Sequence, residues 1–302
     1  MHDDSATTPD AASRAPGVSV VIPALNEAGA IELTVLAVLR MFDAAGIAPA
    51  EIIVVDDGSS DDTGALARAA GATVVRHPHN IGYGRALKDG ILAARHATIV
   101  ITDADGTYPI ERIPDMLAAY AEGFDMVVGA RTGSHYRGNV LKAPLRSILK
   151  FLVEYTAGRR IPDINSGLRL FDRQAVIPYF PHLCNTFSFT TSLTLAYMMT
   201  GRYVAYLPIA YHERIGNSKV RLFRESLRTL QYIVQAIIYY NPIKIFVLLS
   251  GACLLLAGAS AVLGVMLQIK SAFFLGVGSI LVAMIVFSLG LLADLLRQIM
   301  AK

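Results

Sequence analysis

Short apolar runs alternate along the first two thirds of the chain with segments whose apolar residues recur at helical spacing. The runs are rich in Val and Ile, which is typical of buried strands. They predict strands at residues 18–22, 51–55, 72–76, 98–102, 125–128 and 203–208, and the segments between them predict helices that end near residues 44, 94, 120 and 200. Strands that alternate with helices indicate an α/β fold built on a doubly wound, mostly parallel sheet.

Three of the predicted strands end in acidic or polar clusters. These are Asn26-Glu27, Asp56-Asp57 and Asp103-Ala104-Asp105. Open α/β sheets bind ligands at the carboxyl ends of their strands, so neighbouring strands would bring the clusters into one crevice. Carboxylates accept hydrogen bonds from ribose and base, and two at one strand end suit a hard divalent cation shared with a diphosphate. The simpler interpretation is a solvated turn after each strand, with a helix cap at Asp56-Asp57-Gly58-Ser59.

Several other chemistries lack their motifs. The first predicted strand is not followed by G-x-G-x-x-G, so a nicotinamide or flavin site is poorly supported, and G-x-x-x-x-G-K-[ST] does not occur. No Ser-His-Asp set or nucleophilic Cys is visible, and nothing indicates a nucleic-acid partner. Cys184 and Cys253 are isolated, which gives neither a disulfide framework nor a zinc site and is typical of a reducing compartment.

The last quarter of the chain predicts membrane insertion. Hydrophobic residues make up 54% of the chain and charged residues 17%, which is unusually apolar for a soluble protein. Two charge-free runs supply spans at 245–268 and 272–293, each long enough to cross about 30 Å of hydrocarbon. Basic residues flank the pair, so the positive-inside rule places both termini and the preceding domain in the cytoplasm.

These patterns divide the chain into four parts. Residues 1–17 are polar, lack the apolar core of a signal peptide and predict a disordered tail. Residues 18–219 form the cytoplasmic domain, and 220–241 form a two-faced helix with Arg221, Arg224 and Arg228 on one stripe. Such a helix can lie at a membrane surface or pack on the domain. Residues 242–302 form the membrane hairpin, where Gly251, Ala252, Gly258 and Ala259 can let helices of two copies pack closely.

Six segments in consistent order resemble family-2 glycosyltransferases, and most of all the dolichyl- and polyprenyl-phosphate sugar synthases. The segments are Val20-Val21-Ile22-Pro23-Ala24-Leu25-Asn26-Glu27, Val54-Val55-Asp56-Asp57-Gly58-Ser59-Ser60-Asp61, Asp103-Ala104-Asp105, Gly129-Ala130-Arg131, Asp163-Ile164-Asn165-Ser166-Gly167-Leu168-Arg169 and Glu213-Arg214-Ile215-Gly216-Asn217-Ser218-Lys219. The resemblance implies a nucleotide-diphospho-sugar transferase (GT-A-like) fold, a nucleotide-sugar donor, a Mg²⁺ or Mn²⁺ ion, and inversion at the sugar carbon.

The resemblance also assigns residues. It implies Asp103 and Asp105 as metal ligands, with Asp105 and Arg131 in catalysis. The implied nucleotide-sugar site comprises Pro23, Ala24, Asn26, Glu27, Asp56, Asp57, Asp103, Ala104 and Asp105.

Two positions depart from the family pattern. Thr107 stands where the mannose synthases have a Gln that contacts the metal, so the donor cannot be copied from those enzymes. The chain contains no Trp, so the Q-x-x-R-W element of processive polysaccharide synthases is absent. This absence favours transfer of a single sugar. The sequence does not identify the sugar, and it does not distinguish a uridine donor from a guanosine donor.

The expected acceptor is a polyprenyl phosphate. A phosphate monoester has a second pKa of about 6, so near neutral pH it can attack without a strong general base. The enzyme then has to position two polyanions and stabilise the leaving diphosphate. The acceptor phosphate would meet Arg131, Arg146, Arg214, Ser218 and Lys219.

Two rival functions stay open at this point. A different lipid acceptor such as diacylglycerol would need a base, for which His212 is a candidate. A scaffold that has lost catalysis is the non-enzyme alternative, and the intact Asp103 and Asp105 argue against it.

Overall fold

The protein was analysed as a computed structural model that describes residues 17–132, 143–213 and 222–300. Within these ranges, the side chains of residues 143–146, 148–149 and 222–229 are not described. Residues 1–16 of the predicted tail, which was placed at residues 1–17, therefore lie outside the described residues.

The described residues form seven strands in one sheet, flanked by helices. The strands are β1 (Val18–Ala24), β2 (Ala50–Asp56), β3 (Thr73–Arg76), β4 (Thr98–Ile101), β5 (Met126–Thr132), β6 (Arg169–Asp172) and β7 (Val204–Ala210). The helices are α1 (Ile31–Ala45), α2 (Thr63–Ala69), α3 (Tyr83–Ala93), α4 (Ile113–Ala121), α5 (Ala143–Ala157), α6 (Arg173–Val176), α7 (Phe189–Met199), α8 (Leu222–Tyr240), α9 (Pro242–Met266) and α10 (Lys270–Met300), and 3₁₀ turns cover Ile110–Arg112 and Ile177–His182.

The sheet is mixed but mostly parallel, with the order β3-β2-β1-β4-β6-β5-β7. Only β6, among the strands described, runs antiparallel to its two neighbours, β4 and β5. The predicted α/β class is confirmed, although the sequence pattern missed β6. Because β6 is reversed, the residues that precede it lie at the edge where β1, β2, β4 and β5 end.

Helices cover both faces of the sheet, as the alternation of apolar side chains requires. Val20 and Ile22 of β1 pack into one core cluster with α1 and α4, whereas Val21 between them joins a second cluster with α3 and α7. These strand residues are fully buried, so each strand contributes to both cores and the helices are fixed on opposite sides.

Helix α8 packs on the domain through one apolar face. Ile233 and Ile237 are buried against Val153 of α5 and Leu195 of α7, whereas Ile238 is exposed. The alternative of a helix packed on the domain is therefore realised for this part of α8. A role at the membrane surface stays a prediction, because Arg221 and the side chains of Arg224 and Arg228 are not described.

Helices α9 and α10 form an antiparallel hairpin, and both are long and apolar enough to cross a membrane. Small residues form the seam: Ser250 Oγ donates to Ala283 O over 3.0 Å, and a Cβ at Gly290 would lie 2.5 Å from Phe246 Cβ. Gly251 and Gly258 lie off this seam, since nothing lies within 4 Å of a Cβ added at either. Their use between two copies stays a prediction.

The start of α9 is also tied to the domain. Lys244 Nζ donates to Thr156 O over 2.7 Å, and Tyr155 Oη donates to Lys244 O over 3.1 Å. Ile245 packs against the same apolar cluster as Ile237. The hairpin therefore begins on the surface that α5 and α8 share.

The packing of α8 predicts unequal effects at two adjacent isoleucines. Ile237→Ala should lower the free energy of unfolding of the α/β domain by about 2–4 kcal/mol, because it opens a cavity at a residue that is 1% exposed. Ile238→Ala, at 48% exposure, should change it by less than about 0.5 kcal/mol. Thermal unfolding of the purified variants in detergent measures both. Equal effects would mean that α8 does not pack as described.

Candidate functional site

The carboxyl ends of β1, β2 and β4 meet at one edge of the sheet. In the register, Ala24 pairs with Asp56 and Val21 pairs with Ile101. Two backbone bonds continue the pairing past the strands, from Asp57 N to Ala24 O and from Thr102 N to Val21 O. The three acidic clusters predicted from the sequence therefore follow adjacent strand ends.

Side-chain hydrogen bonds fasten the loop after β1 to the loop after β2. Asn26 N donates to Ser59 Oγ over 2.9 Å, and Asn26 Oδ1 accepts from Ser60 N over 2.8 Å. Glu27 N donates to Thr63 Oγ1 over 2.8 Å. Asn26 has a φ of 50°, a left-handed conformation that Asn tolerates better than most residues. Asn26 is exposed in this arrangement, whereas Pro23 and Ala24 are buried within β1.

Asp56 lies buried at the end of β2, within its own turn. Its Oδ1 accepts from Ser59 N over 2.8 Å, and Arg76 Nε lies 3.6 Å from its Oδ2. The turn that the simpler interpretation proposed is thus present, but Asp56 is buried rather than solvated, and α2 begins only at Thr63, after Asp62. Contact between Asp56 and a nucleotide stays a prediction.

Asp57 organises the segment that leads into α3. Its Oδ1 accepts from Ile81 N over 3.0 Å and lies 2.7 Å from His77 Nδ1, while its Oδ2 accepts from Gly82 N over 2.9 Å. His77 also lies 3.1 Å from Asp89 of α3. This buried carboxylate therefore sets where α3 begins.

A hydroxyl group holds one oxygen of each candidate metal ligand. Tyr83 Oη donates to Asp103 Oδ1 over 2.8 Å, and Thr107 Oγ1 donates to Asp105 Oδ1 over 2.6 Å. A Cβ at Gly167 would lie 2.8 Å from the oxygens of Asp103, so only a glycine fits this close to that carboxylate. The departure at Thr107 now has a structural account: its hydroxyl orients Asp105.

Two tyrosines beside Asp103 stay protonated and neutral. Burial raises the pKa of both Tyr83 and Tyr108 above the ordinary range, and the negative charge of Asp103 raises them further. Gly167 N donates to Tyr108 Oη over 2.6 Å. Tyr83 was not predicted as a site residue, because nothing in the sequence around it shows that it reaches Asp103.

Arg131, at the end of β5, is clamped by Asp163. Its Nε and Nη2 donate to the two carboxylate oxygens over 2.7 and 2.9 Å, its backbone N donates over 3.1 Å, and its guanidinium lies over the Tyr211 ring at 5.3 Å. Burial alone would raise the pKa of Asp163, but the hydrogen bonds and charge of Arg131 hold it below its usual value. Asp163 belongs to one of the six segments that resemble the family. Its pairing with Arg131 could not be predicted, because Arg131 lies on β5, 32 residues away.

Arg169 holds the loop between Asp163 and β6. This fully buried guanidinium donates to Ile164 O, Ser166 O and Thr194 Oγ1 over 2.7 to 2.8 Å. Burial lowers its pKa, and the nearby oxygens of tyrosines and of Asp163 oppose that effect. Since arginine titrates above about 12, the side chain stays charged.

A cleft of about 280 Å³ opens beside Asp103 on the α1 side of the edge. Leu33, Thr34, Tyr108 and His212 are among the residues that line it. His212 N donates to Thr107 O over 3.0 Å, which joins the end of β7 to the turn after Asp105.

The remaining predicted residues are only partly described. Arg214, Ser218 and Lys219 lie outside the described residues, and of Arg146 only the backbone in α5 is described. In the described part of the chain, no group of three or more His, Cys, Asp or Glu side chains could hold a metal ion. Asp103 and Asp105 together would thus supply only part of a metal's coordination shell.

Comparison with known proteins agrees with this geometry. A family model described as glycosyl transferase family 2 matches residues 19–180. The chain is 31% identical over 214 residues to a dolichyl-phosphate hexose transferase of Haloferax volcanii, covering 68% of this chain and 87% of that protein. It is 28% identical over 271 residues to an undecaprenyl-phosphate 4-deoxy-4-formamido-L-arabinose transferase of Klebsiella pneumoniae, covering 83% and 76%.

Solved structures share the fold. Glucosyl-3-phosphoglycerate synthase of Mycobacterium tuberculosis, crystallised with Mn²⁺, UDP and glucosyl-3-phosphoglycerate, superposes with a TM-score of 0.60 at 22% identity, covering 78% of this chain and 86% of that one. The family match covers β2, which ends at Asp56, β4, which is followed by Asp103, and β5, which contains Arg131. The resemblance inferred from the motifs is confirmed: the chain belongs to glycosyl transferase family 2 and is a glycosyltransferase.

Proposed function

We propose that the protein transfers one sugar, with inversion, from a nucleotide-diphosphate sugar to a polyprenyl phosphate in the membrane. The observation that carries the proposal is the placement of Asp103 and Asp105 at the sheet edge that also holds Arg131, in a chain with two apolar C-terminal helices. The relatives named as dolichyl- and undecaprenyl-phosphate transferases support this acceptor class.

The donor would lie across the ends of β2, β1 and β4. Base and ribose would meet the loops around Asn26, Glu27 and Asp56, which the hydrogen bonds to Ser59 and Thr63 hold in place. The diphosphate would lie beside Asp103 and Asp105. UDP-sugars and GDP-sugars both suit this arrangement.

The two carboxylates fit Mg²⁺ or Mn²⁺. Both are hard oxygen ligands, and each is oriented by a hydroxyl donor. The bound ion would neutralise negative charge on the leaving diphosphate, with the diphosphate and water completing its shell.

Arg131 would orient the acceptor phosphate, since Asp163 fixes its guanidinium and Tyr211 supports it. An oxygen of the lipid phosphate forms the new bond to the anomeric carbon as the bond from that carbon to the diphosphate breaks. Arg146, Arg214, Ser218 and Lys219 would supply further contacts to the acceptor. In this proposal α9 and α10 span the membrane, with the catalytic domain and both termini in the cytoplasm.

The rival acceptor has one observation in its favour. His212 lines the cleft beside Asp103, where a base for a diacylglycerol hydroxyl would be needed. A radiolabelled-sugar assay with membranes separates the alternatives. A labelled polyprenyl-phosphate sugar is the expected product, labelled glycosyl diacylglycerol would favour the rival, and no transfer with a range of donors would favour a scaffold.

The metal assignment predicts the effect of Asp105→Asn. The variant should lose at least about 100-fold in kcat, about 2.7 kcal/mol, because a charge next to the leaving diphosphate is removed. The exposed Asp115 of α4 pairs with Arg112 in the preceding 3₁₀ turn. It supplies the control variant Asp115→Asn, which should keep parent turnover. Transfer assays with Mg²⁺ and with Mn²⁺ measure both. Turnover close to that of the parent in Asp105→Asn would refute the metal site.

The acceptor assignment predicts the effect of Lys219→Ala in detergent. Its affinity for the nucleotide sugar should be unchanged, while kcat/KM for polyprenyl phosphate should fall by about 2–5 kcal/mol, the usual cost of removing one partner of a buried charge pair. Lys150→Ala, which removes an exposed lysine of α5, is the matched control and should have no such effect.

A role of Lys219 in binding lipid headgroups makes a different prediction. It would weaken membrane association and leave the kinetics in detergent intact. That outcome would mean that Lys219 does not belong to the acceptor site.

A further inference from the structure

The loop that leads into α7, residues 183–188, is held firmly against the start of α3. Nζ of the buried Lys88 donates to Leu183 O and to Asn185 Oδ1, each over 2.6 Å. Arg85 N donates to Asn185 O over 3.0 Å. Gly84 lies so close that an added Cβ would overlap Cys184 O. Because a buried ammonium is costly unless it is hydrogen-bonded, this lysine indicates a loop with a defined position.

What the loop exposes is a phenyl ring next to the candidate metal site. Phe187 is 46% exposed, and its ring stacks on Tyr83 with centroids 5.5 Å apart and planes at 17°. The hydroxyl of Tyr83 is the donor to Asp103 Oδ1, at 2.8 Å. One face of Phe187 is therefore supported by a ring that also touches the metal ligand.

The order of the strands indicates which part of the proposed nucleotide-sugar donor would lie near the Phe187 ring. Along the sheet edge, β2 and β1 carry the proposed nucleotide site, β4 carries Asp103, and β6 and β5 follow with Arg131. A sugar joined to the diphosphate would lie past Asp103, between the donor's phosphates and the acceptor. Helices α3 and α7 pack on the same face of the sheet. Phe187, two residues before α7, stacks on Tyr83 at the start of α3, and the Tyr83 hydroxyl reaches Asp103.

We propose that Phe187, stacked on Tyr83, forms the surface against which the ring of the transferred sugar lies. The proposal rests on the proposed function. A pyranose has an apolar face of slightly positive C–H groups, which suits the negative face of an aromatic ring. Contact with a ring so firmly held would orient the anomeric carbon toward the acceptor phosphate, a positioning effect of the kind that raises rates.

The test compares nucleotide sugars with bare nucleotides, using the full chain in detergent with Mn²⁺. Isothermal titration calorimetry measures Kd for UDP-glucose, GDP-mannose, UDP and GDP. For the nucleotide sugar that the parent binds, Phe187→Ala should raise Kd about tenfold, about 1.4 kcal/mol, with the Kd of the bare nucleotide within about twofold. Phe187→Leu keeps an apolar side chain without a flat face and should behave like Phe187→Ala, whereas Phe187→Tyr should bind like the parent.

The chain offers a matched control at Phe151. This ring is 54% exposed and is stacked on Tyr155 of α5 with centroids 6.0 Å apart. Phe151→Ala should leave the Kd of the nucleotide sugar unchanged, which separates a specific contact from a general effect of removing an exposed ring.

Three results would overturn the proposal. If Phe187→Ala and Phe187→Leu bind the nucleotide sugar as the parent does, the ring does not contact the sugar. If they change only KM for polyprenyl phosphate, the ring contacts the lipid instead. If the parent binds none of the four ligands, the proposed function itself fails and this proposal fails with it.

Discussion

The arrangement of the candidate site at the sheet edge depends on one buried guanidinium. Arg169 begins the reversed strand β6, and its hydrogen bonds reach Ile164, Ser166 and Thr194. Burying a charge is expensive, and here two carbonyls, a hydroxyl and surrounding oxygens offset the cost. Through these bonds, the loop that carries Asp163 and Gly167 is fixed beside Asp103 and Arg131.

This dependence explains which parts of the fold could be predicted from the sequence. Parallel strands such as β1 and β4 are short apolar runs buried on both faces, so composition alone identifies them. Strand β6 has four residues and begins with an arginine, so no apolar run marks it. Residues 143–157 contain Arg146, whose charge directed the interpretation toward the acceptor, and the helix α5 was not predicted.

The same distinction holds in the site. Asp56, Asp103 and Asp105 follow predicted strands directly, so their placement at the sheet edge could be inferred locally. Tyr83 lies 20 residues from Asp103, and Asp163 lies 32 residues from Arg131, so these contacts exist only in the folded chain. Asp57 shows a further limit of prediction from sequence. It was expected to contact the nucleotide, but its carboxylate accepts hydrogen bonds from Ile81 N and Gly82 N and so positions the start of α3.

The junction between α8 and α9 has a mechanical consequence. One residue, Asn241, separates the two helices, and Lys244 is bonded to α5 on both its side chain and its carbonyl. A hairpin anchored in this way is a rigid support rather than a flexible tether. Where it crosses a bilayer, the distance from the hydrocarbon boundary to the catalytic edge is set by the length of packed protein between them. In the proposed reaction, the lipid would have to bring its phosphate to that height, which would make the enzyme sensitive to how far a headgroup protrudes from the membrane.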